Sequence, residues 1–416
     1  MTSSPLRRIA LLSLHSSPLA APGKGADVGG MNLYVLRLAE GLADEGFHVD
    51  MFTRRTDPQA AEIVPVSSRA RLIHLAAGPA RRLPKNVLPM HLNSMVASFE
   101  GFMHRQGIRY DILHSHYWLS GLAAMRYRVR TGVDVPFVTM FHTLHELKRL
   151  YSGTADRSDS ALRFDGERCI IGRADAIVGA TDAERQDMVR LYGRSPARYV
   201  TIPPGVDLAR FRPLGHAASR RTLGLDAERV VLFVGRQDPL KGVDILLRSV
   251  AALPDRLRRG LKLLLVGDQP GSKLRRLATR LGLGDTILVC GRVGQDELPI
   301  YYSAADVCAM PSSYESFGMA AVEAMACQTP VVAFGVGGLL TTITDGQTGF
   351  LVPHGDYPAY ARVLTQALES SELDVMGRRA RLSIQRYSWQ AVTARSLELY
   401  DDLLDEYAGS RRLSVV

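Results

Sequence analysis

Apolar runs of strand length alternate with amphipathic stretches along almost the whole chain. Such runs occupy residues 9–14, 48–52, 137–143 and 230–235, and each leads into a polar loop. Most of these loops precede a stretch with apolar residues at helical spacing, of which residues 31–45 are a clear case. Repeated strand, loop and helix units favour parallel sheets with right-handed crossovers. The pattern therefore predicts an α/β fold of two doubly wound, Rossmann-like domains.

A junction rich in Pro and Gly divides the chain. At 416 residues the chain is long for one core and comfortable for two. The sequence Pro203-Pro204-Gly205 marks a boundary, which predicts one domain over residues 1–207 and another over 208–386. The last segment, 387–416, is expected to form a helix that crosses back to the first domain, followed by a tail.

Bulk composition excludes several classes of protein. Apolar residues make up 46% and charged residues 22%, which is ordinary for a globular protein and excludes a disordered one. No apolar run approaches the roughly 18 residues of a membrane span, so a cytoplasmic protein without a transmembrane segment is expected. The four cysteines show neither CxxC nor metal-ligand spacing. They are expected to be buried thiols of a reducing compartment.

The net charge of +9 predicts anionic ligands. No basic run is interleaved with aromatic residues, as nucleic-acid binding would favour. Small molecules that carry phosphate are therefore the expected partners, and nucleic acid is not.

The stretch 314–326 carries two carboxylates beside a predicted helix start. Glu315 precedes a helix expected from about Phe317, and Glu323 interrupts its apolar residues, where an unpaired charge is costly. If both were helical they would lie roughly 12 Å apart, a span that suits two hydroxyl-rich rings joined by a diphosphate. The first N–H groups of the helix can bind phosphate oxygens, and Gly318 allows close approach.

Two positions in the first half of the chain are further candidates. Gly29-Gly30 ends a loop between the first strand and helix, which is an anion-binding arrangement. It matches neither GxGxxG nor a P-loop, so a dehydrogenase is disfavoured. His142 follows a strand at the end where open α/β sheets bind ligands. The HxH pair in residues 110–118, interpreted as a strand running into a loop, lacks a third ligand, so no metal site is expected.

Taken together, the motifs of the second half resemble the donor domain of retaining family 4 glycosyltransferases of GT-B architecture. These motifs are Gly235-Arg236, Pro239-Leu240-Lys241-Gly242, Glu315 and Glu323 with seven residues between them, and Gly335-Val336-Gly337-Gly338. With Gly29-Gly30, the resemblance covers essentially the whole chain. It implies that a nucleotide sugar lies in a cleft between two domains and that the anomeric configuration is retained without an enzyme nucleophile.

The resemblance also implies a role for each matching residue. Arg236 and Lys241 would hold the diphosphate, and Glu323 would bind the ribose. Glu315 would bind the donor sugar, and His142 would contact that sugar near the reacting centre. The expected catalytic residues are His142, Arg236, Lys241 and Glu315. Backbone groups would supply the remaining donor contacts, at Val293 for the base and at Gly29, Gly30, Phe317, Gly318 and Met319 for the phosphates.

Motifs of the first half resemble the mycothiol-pathway transferases that move N-acetylglucosamine to inositol 3-phosphate. They include Gly29-Gly30-Met31-Asn32, His114-Ser115-His116-Tyr117-Trp118 and His142-Thr143-Leu144. The resemblance implies that Asn32 touches the inositol ring. It implies an acceptor-phosphate pocket made of Lys85, Tyr117, Thr143 and Arg163.

The expected function is therefore transfer of N-acetylglucosamine or glucose from a UDP-sugar to a phosphorylated polyol or sugar, with inositol 3-phosphate as the leading acceptor. A sucrose-phosphate-synthase-like enzyme and a peripheral-membrane transferase acting on phosphatidylinositol are alternatives, and a nucleotide-sugar sensor is the non-enzymatic one. This expected function requires no cofactor or metal, although a weakly bound Mg²⁺ ion is compatible with it. The chain is also compatible with a homodimer.

Overall fold

The computed structural model describes most of the chain. The described residues are 7–20, 29–152, 160–227, 229–236 and 238–413. Residues 21–28, in the loop before Gly29, and residues 414–416 at the C-terminal end lie outside them.

The chain divides into two compact units. Unit 1 is Met1–Pro203 together with Trp389–Val416, and unit 2 is Pro204–Ser388. The division falls after Pro203, within the Pro- and Gly-rich junction.

The described residues of unit 1 contain an eight-stranded sheet in the order β3-β4-β2-β1-β5-β6-β7-β8. Its strands are β1 (Arg8–Leu12), β2 (His48–Arg54), β3 (Ile63–Pro65), β4 (Ala70–Leu75), β5 (Ile112–His116), β6 (Phe137–Met140), β7 (Ala176–Gly179) and β8 (Arg198–Thr201). The expectation of wholly parallel sheets is wrong at one edge, where β3 pairs antiparallel with β4. The connection between these strands is a short turn, which suits an antiparallel pair and cannot hold a parallel crossover.

Helices connect these strands. Their bounds are α1 (Gly30–Asp44), α2 (Leu92–Gln106), α3 (Trp118–Thr131), α4 (His145–Ser152), α5 (Ser160–Ile171) and α6 (Asp182–Tyr192). The buried residues of α1 include Val35, Leu38, Ala39 and Leu42. They recur at three- and four-residue spacing, so one face of the helix packs on the sheet.

The described residues of unit 2 contain a six-stranded sheet in the order β11-β10-β9-β12-β13-β14, and its pairs are parallel. The strands are β9 (Arg229–Gly235), β10 (Leu261–Gly267), β11 (Ile287–Gly291), β12 (Val307–Met310), β13 (Val331–Phe334) and β14 (Gly349–Val352). The helices are α7 (His216–Thr222), α8 (Val243–Ala251), α9 (Asp255–Arg258), α10 (Ser272–Arg280), α11 (Leu298–Ala304), α12 (Met319–Ala326), α13 (Leu339–Thr342), α14 (Tyr357–Glu369) and α15 (Leu373–Ser383).

The last helix, α16 (Trp389–Leu413), packs on α1 within unit 1. Tyr400 of α16 is buried in the same core as α1. A Cβ at Gly41 would lie 2.1 Å from the hydroxyl oxygen of Thr393, so glycine there permits the close approach of the two helices.

The cysteines are only partly as expected. Cys308 and Cys327 are buried, whereas Cys290 is partly exposed and Cys169 is exposed. The expectation of buried thiols is wrong for Cys169, because it lies on the outer face of α5. Burial raises the pKa of the Cys308 thiol to about 12.

Candidate active site

In unit 2, the loops that follow β9, β12 and β13 meet because these strands are neighbours in the sheet. We call this group the unit 2 cluster; it comprises Arg236, the 3-10 turn Pro239–Lys241, residues 311–319, Glu323 and residues 335–338. Strand β9 lies between β10 and β12, so the chain reverses its direction of winding here. The carboxyl ends of strands at such a point form the usual ligand-binding crevice of an open α/β sheet.

Lys241 and Glu315 form an ion pair within this cluster. The Lys241 ammonium lies 2.5 Å from Oε1 of Glu315, which also accepts a hydrogen bond of 2.9 Å from the Ser312 hydroxyl. Glu315 is buried, and a buried carboxylate is costly without such partners. A Cβ at Gly242 would lie 2.1 Å from the carbonyl oxygen of Pro311, so glycine is needed for the Lys241 turn to pack this closely on the loop after β12.

Two glycines after β13 hold the Glu315 loop by backbone contact. The amide of Gly338 donates to the Glu315 carbonyl at 2.9 Å. A Cβ at Gly337 would lie 2.0 Å from that carbonyl oxygen, and a Cβ at Gly338 would lie 2.3 Å from the Phe317 Cα. Side chains at either position would displace the loop, which explains the glycine-rich motif.

The helix after Glu315 begins later than expected. α12 starts at Met319, and its N-cap Gly318 has φ of 92°, a conformation that favours glycine. Phe317 is buried in the loop. Glu315 is therefore not helical, and the estimate of roughly 12 Å to Glu323, which assumed two helical residues, loses its premise. The first amides of α12 still lack intrahelical partners and can bind an anion.

Glu323 lies inside α12 and is buried. The Tyr302 hydroxyl donates to its Oε2 at 2.8 Å. Burial raises the pKa of Glu323 to about 7, although the hydrogen bonds from Tyr302 and Gln295 and the charge of Arg210 act in the opposite direction. Its charge therefore changes near neutral pH.

The remaining unit 2 residues predicted from the sequence are more exposed. Arg236 follows β9 directly and is exposed, and Val293 follows the edge strand β11 and is partly exposed. Two strands, β9 and β10, separate the loop of Val293 from the loop after β12 along the sheet.

In unit 1, His15, Tyr117 and His142 each lie just beyond the carboxyl end of a strand. These strands, β1, β5 and β6, are adjacent in the sheet. We call the group of His15, Lys85, Tyr117, His142, Thr143 and Arg163 the unit 1 cluster. Tyr117 has φ of 75° and His142 has φ of 59°. Such angles are uncommon for residues other than glycine and concentrate at functional sites.

The Tyr117 ring is close to a histidine and an arginine. Its centroid is 4.2 Å from that of His15, and the Arg163 guanidinium carbon lies 4.9 Å from it. Arg163 also donates to the Thr143 carbonyl at 2.6 Å. The structure thus brings together three of the four predicted phosphate-binding residues.

His15 is a member of this cluster that sequence reasoning missed. Burial, together with smaller contributions from Lys85, His142 and Arg163, lowers the pKa of His15 to about 3. Exposed Lys85 is therefore close enough to act on His15. The Nδ1 atom of His15 is buried with no hydrogen-bond partner among the described residues. Its place directly after the first strand was the available signal.

His142 belongs to a row of histidines. Its Nε2 atom lies 3.0 Å from Nδ1 of His116, and Nδ1 of His114 lies 2.6 Å from the Tyr400 hydroxyl. Burial lowers the pKa of His142 to about 3 and that of His116 well below its ordinary value. Both rings are therefore neutral near pH 7. The interpretation of the HxH pair as part of a loop is wrong, because both histidines lie inside β5, and Tyr117 is the N-cap of α3.

Asn32, predicted to touch the acceptor ring, has partners at each polar atom. Its amide nitrogen donates to the Ser16 hydroxyl at 2.6 Å and to the Ser17 carbonyl at 2.8 Å, and its oxygen accepts from the Gly29 amide at 3.1 Å. These bonds hold the start of α1 against the loop after β1. A Cβ at Gly29 would meet no atom of the described residues within 4 Å.

Among the described residues, no three His, Cys, Asp or Glu side chains converge as metal ligands. Within the same part of the chain, none of the helices combines the length and apolarity that crossing a membrane requires.

Two family models together match most of the chain. The model "Glycosyltransferase Family 4" matches residues 28–210, and "Glycosyl transferases group 1" matches residues 217–383. The boundary between the two matches lies close to the division between the units.

Two curated relatives are named for the same substrate. The D-inositol 3-phosphate glycosyltransferase of Kineococcus radiotolerans is 42% identical, covering 98% of each chain. D-inositol 3-phosphate glycosyltransferase 2 of Catenulispora acidiphila is 41% identical, covering 97% of each.

Solved structures share the fold. The sucrose-phosphate synthase of Thermosynechococcus elongatus superposes with a TM-score of 0.86 at 34% identity, covering 96% of this chain and 100% of that one. HepE of Anabaena, solved with UDP and glucose, has a TM-score of 0.74 at 19% identity, covering 95% of this chain and 100% of that one, and shows the fold alone. The chain is a glycosyltransferase with the GT-B fold and belongs to the family of the D-inositol 3-phosphate glycosyltransferases.

Proposed function

We propose that this glycosyltransferase moves a sugar from a UDP-sugar to a phosphorylated acceptor, with inositol 3-phosphate as the leading candidate and N-acetylglucosamine or glucose as the sugar. The arrangement of Tyr117, Thr143 and Arg163 carries the proposal. Relatives more than 40% identical over nearly their whole length are named for D-inositol 3-phosphate, which supports this acceptor.

The unit 1 cluster has the chemistry of a phosphate pocket. Arg163 supplies a planar guanidinium whose donors fit phosphate oxygens, and Lys85 supplies a second positive charge. The Tyr117 hydroxyl adds a neutral donor. The Thr143 hydroxyl, which donates to the His142 carbonyl at 2.7 Å, would rotate to donate to the ligand. Neutral His15 offers a ring nitrogen to the same ligand without adding charge.

The unit 2 cluster suits the nucleotide sugar. Lys241 and Arg236 would neutralise the diphosphate as charge develops on the departing phosphate, and the first amides of α12 would add backbone donors. Glu323 would accept from the ribose hydroxyls. Glu315 would accept from the donor-sugar hydroxyls, with its ion pair to Lys241 fixing its orientation.

Transfer is proposed to retain the anomeric configuration, with the leaving phosphate deprotonating the acceptor. His142 would hydrogen-bond the donor sugar near the anomeric carbon. Because its pKa is lowered to about 3, the ring is neutral and would not repel the positive charge that develops at that carbon. No cofactor is needed, and Mg²⁺ is proposed to be dispensable.

A sugar phosphate is the second candidate acceptor. The sucrose-phosphate synthase neighbour is 34% identical over nearly the whole chain, and a phosphate pocket in unit 1 would serve a hexose phosphate as well as an inositol phosphate.

The test is product formation followed by mass spectrometry. UDP-glucose and UDP-N-acetylglucosamine are each combined with inositol 3-phosphate, fructose 6-phosphate and free inositol. Transfer of N-acetylglucosamine to inositol 3-phosphate alone is the expected result. Transfer to fructose 6-phosphate would support the second candidate.

Two other outcomes would overturn the proposal. Transfer only to phosphatidylinositol in vesicles would favour a peripheral-membrane enzyme. Binding of UDP-sugar with no turnover on any acceptor would favour a sensor.

A further inference from the structure

Glu167 of α5 is fully buried and joins three parts of unit 1. Its Oε1 accepts from Nε of Arg163 at 2.8 Å. Its Oε2 accepts from the backbone amide of His145 at 2.9 Å and from the Tyr192 hydroxyl. The carboxylate thus connects α5 to the start of α4 and the end of α6.

These contacts determine the orientation of Arg163. Its hydrogen bonds within the described residues use Nε, to Glu167, and Nη2, to the Thr143 carbonyl. Because the guanidinium is planar and rigid, fixing these two nitrogens also fixes the direction of Nη1. Nη1 remains a donor for a ligand.

The same carboxylate holds the segment that carries His142 and Thr143. Arg163 bonds the Thr143 carbonyl at 2.6 Å, Glu167 bonds the His145 amide, and the Tyr192 hydroxyl accepts from the Glu146 amide at 3.1 Å. Strained backbone such as that of His142 persists only when the surrounding structure over-determines it. These three backbone contacts within five residues provide that restraint.

We propose that Glu167 is a positioning residue for acceptor binding that acts through Arg163. It aims the guanidinium at the acceptor phosphate, and by holding segment 142–146 it fixes the Thr143 carbonyl that the guanidinium contacts. This inference rests on the proposed function, because it requires a phosphorylated acceptor in the unit 1 cluster.

Charge and orientation lead to opposite expectations for Glu167. Its negative charge offsets that of Arg163, so it weakens the attraction for an anion. If Glu167 only neutralised Arg163, replacement by glutamine would tighten phosphate binding. If it orients Arg163, the same replacement weakens binding, because an amide cannot accept from both sides as the carboxylate does.

The experiment is a double-mutant cycle on the dissociation constant of inositol 3-phosphate, measured by calorimetry with saturating UDP. Glu167→Gln is expected to weaken binding about tenfold, the scale of one charge-assisted hydrogen bond. In an Arg163→Met background the same change should alter the constant less than twofold, since Glu167 acts through Arg163. In a Lys85→Met background the tenfold effect should persist.

Two further variants separate positioning from stability. Glu184→Gln alters another buried carboxylate of unit 1, which accepts from the Ala180 amide at 2.8 Å. It should lower the melting temperature and leave acceptor binding unchanged. Tyr192→Phe keeps the Arg163–Glu167 pair and removes one hydrogen bond to the carboxylate, so it replaces Glu167→Gln if that variant does not fold. Its binding of inositol 3-phosphate is expected to be about threefold weaker, which corresponds to a partial loss of one hydrogen bond.

The outcomes distinguish the inference from the proposed function. Unchanged or tighter binding in Glu167→Gln, or effects additive with Arg163→Met, would overturn the role of Glu167 while leaving the phosphate pocket standing. If the wild type binds neither inositol 3-phosphate nor fructose 6-phosphate, the proposed function fails and this inference fails with it.

Discussion

The two clusters position their functional groups by different physical means. In unit 2 the means is backbone against backbone: glycines at 242, 337 and 338 let loops approach so closely that a Cβ would lie 2.0–2.3 Å from a neighbouring backbone atom. In unit 1 the means is buried side chains, with neutral histidines and the buried Arg163–Glu167 pair.

The difference bears on what each cluster tolerates. A close contact at glycine leaves no room for a side chain, because an added Cβ would displace the neighbouring backbone. A buried polar network depends instead on every partner being present, since a lone buried charge or donor is costly. We therefore expect the folded stability of unit 2 to be most sensitive to added atoms and that of unit 1 to removed ones.

The largest effect is expected from Lys241→Ala. It removes the cation proposed to neutralise the leaving diphosphate, so transfer to every acceptor should fall by about 10²–10³ in kcat, the usual loss when one charge-stabilising donor is removed. Steady-state kinetics with phosphorylated and unphosphorylated acceptors would measure it. Lys262→Ala, on β10 with its ammonium bonded to the Asp285 carbonyl, is the control; an equal loss there would contradict the assignment.

Gly338→Ala tests the backbone contact directly. Its Cβ would lie 2.3 Å from the Phe317 Cα, so we expect a loss of about 1–3 kcal/mol in the free energy of unfolding, as for other overpacked sites. UDP binding should weaken with it. Thermal denaturation and UDP titration measure the two effects. Gly284→Ala, where a Cβ meets nothing within 4 Å, should change neither, and equal effects at both positions would refute the contact argument.

Lys85→Ala should act only on phosphorylated acceptors. Loss of one charged contact to phosphate predicts a rise of about 10- to 100-fold in KM for inositol 3-phosphate, with KM for the UDP-sugar unchanged. Exposed Lys148 of α4 offers a matched variant, Lys148→Ala, for which no such rise is expected. Equal loss with phosphorylated and unphosphorylated acceptors in the Lys85 variant would remove Lys85 from the phosphate pocket.

The smallest expected effect is a pH dependence of donor binding. The raised pKa of Glu323, about 7, means that it is neutral below pH 7 and ionised above. Ribose hydroxyls favour the ionised acceptor, so UDP-glucose affinity should rise as pH increases through 7, by at most tenfold per unit. Titrations between pH 5.5 and 8.5 would show it, and Glu323→Gln should flatten the profile; an unaltered slope in that variant would exclude Glu323 as the cause.

The raised pKa of Glu323 also makes the free energy of unfolding depend on pH. The folded pKa lies above the unfolded one, so the contribution of Glu323 to the free energy of unfolding is present at low pH and is lost as pH rises through 7.

Local pattern determined much about this protein. Alternating apolar runs and helical spacing predicted the α/β class, and the glycines at 242, 337 and 338 lie where backbone approaches closely. Glu323 was singled out because it interrupts an apolar surface, where an unpaired charge is costly. Glu315 was singled out because it precedes a helix start, and Lys241 through the resemblance to a known family. The prediction of the α/β class is confirmed because it rests on residues near one another in the chain, and the roles of the site residues stay predictions.

Only the tertiary structure decided which distant residues contact Arg163. Tyr117, Thr143 and Tyr192 reach Arg163 from other elements, whereas Glu167 lies one turn away on the same helix. His15 joins Tyr117 from more than a hundred residues away. The order of strands in the sheet brings them together, and periodicity does not encode that order. The physical reason is that burial of a charged or polar group is satisfied by neighbours in space, which the chain supplies from distant segments.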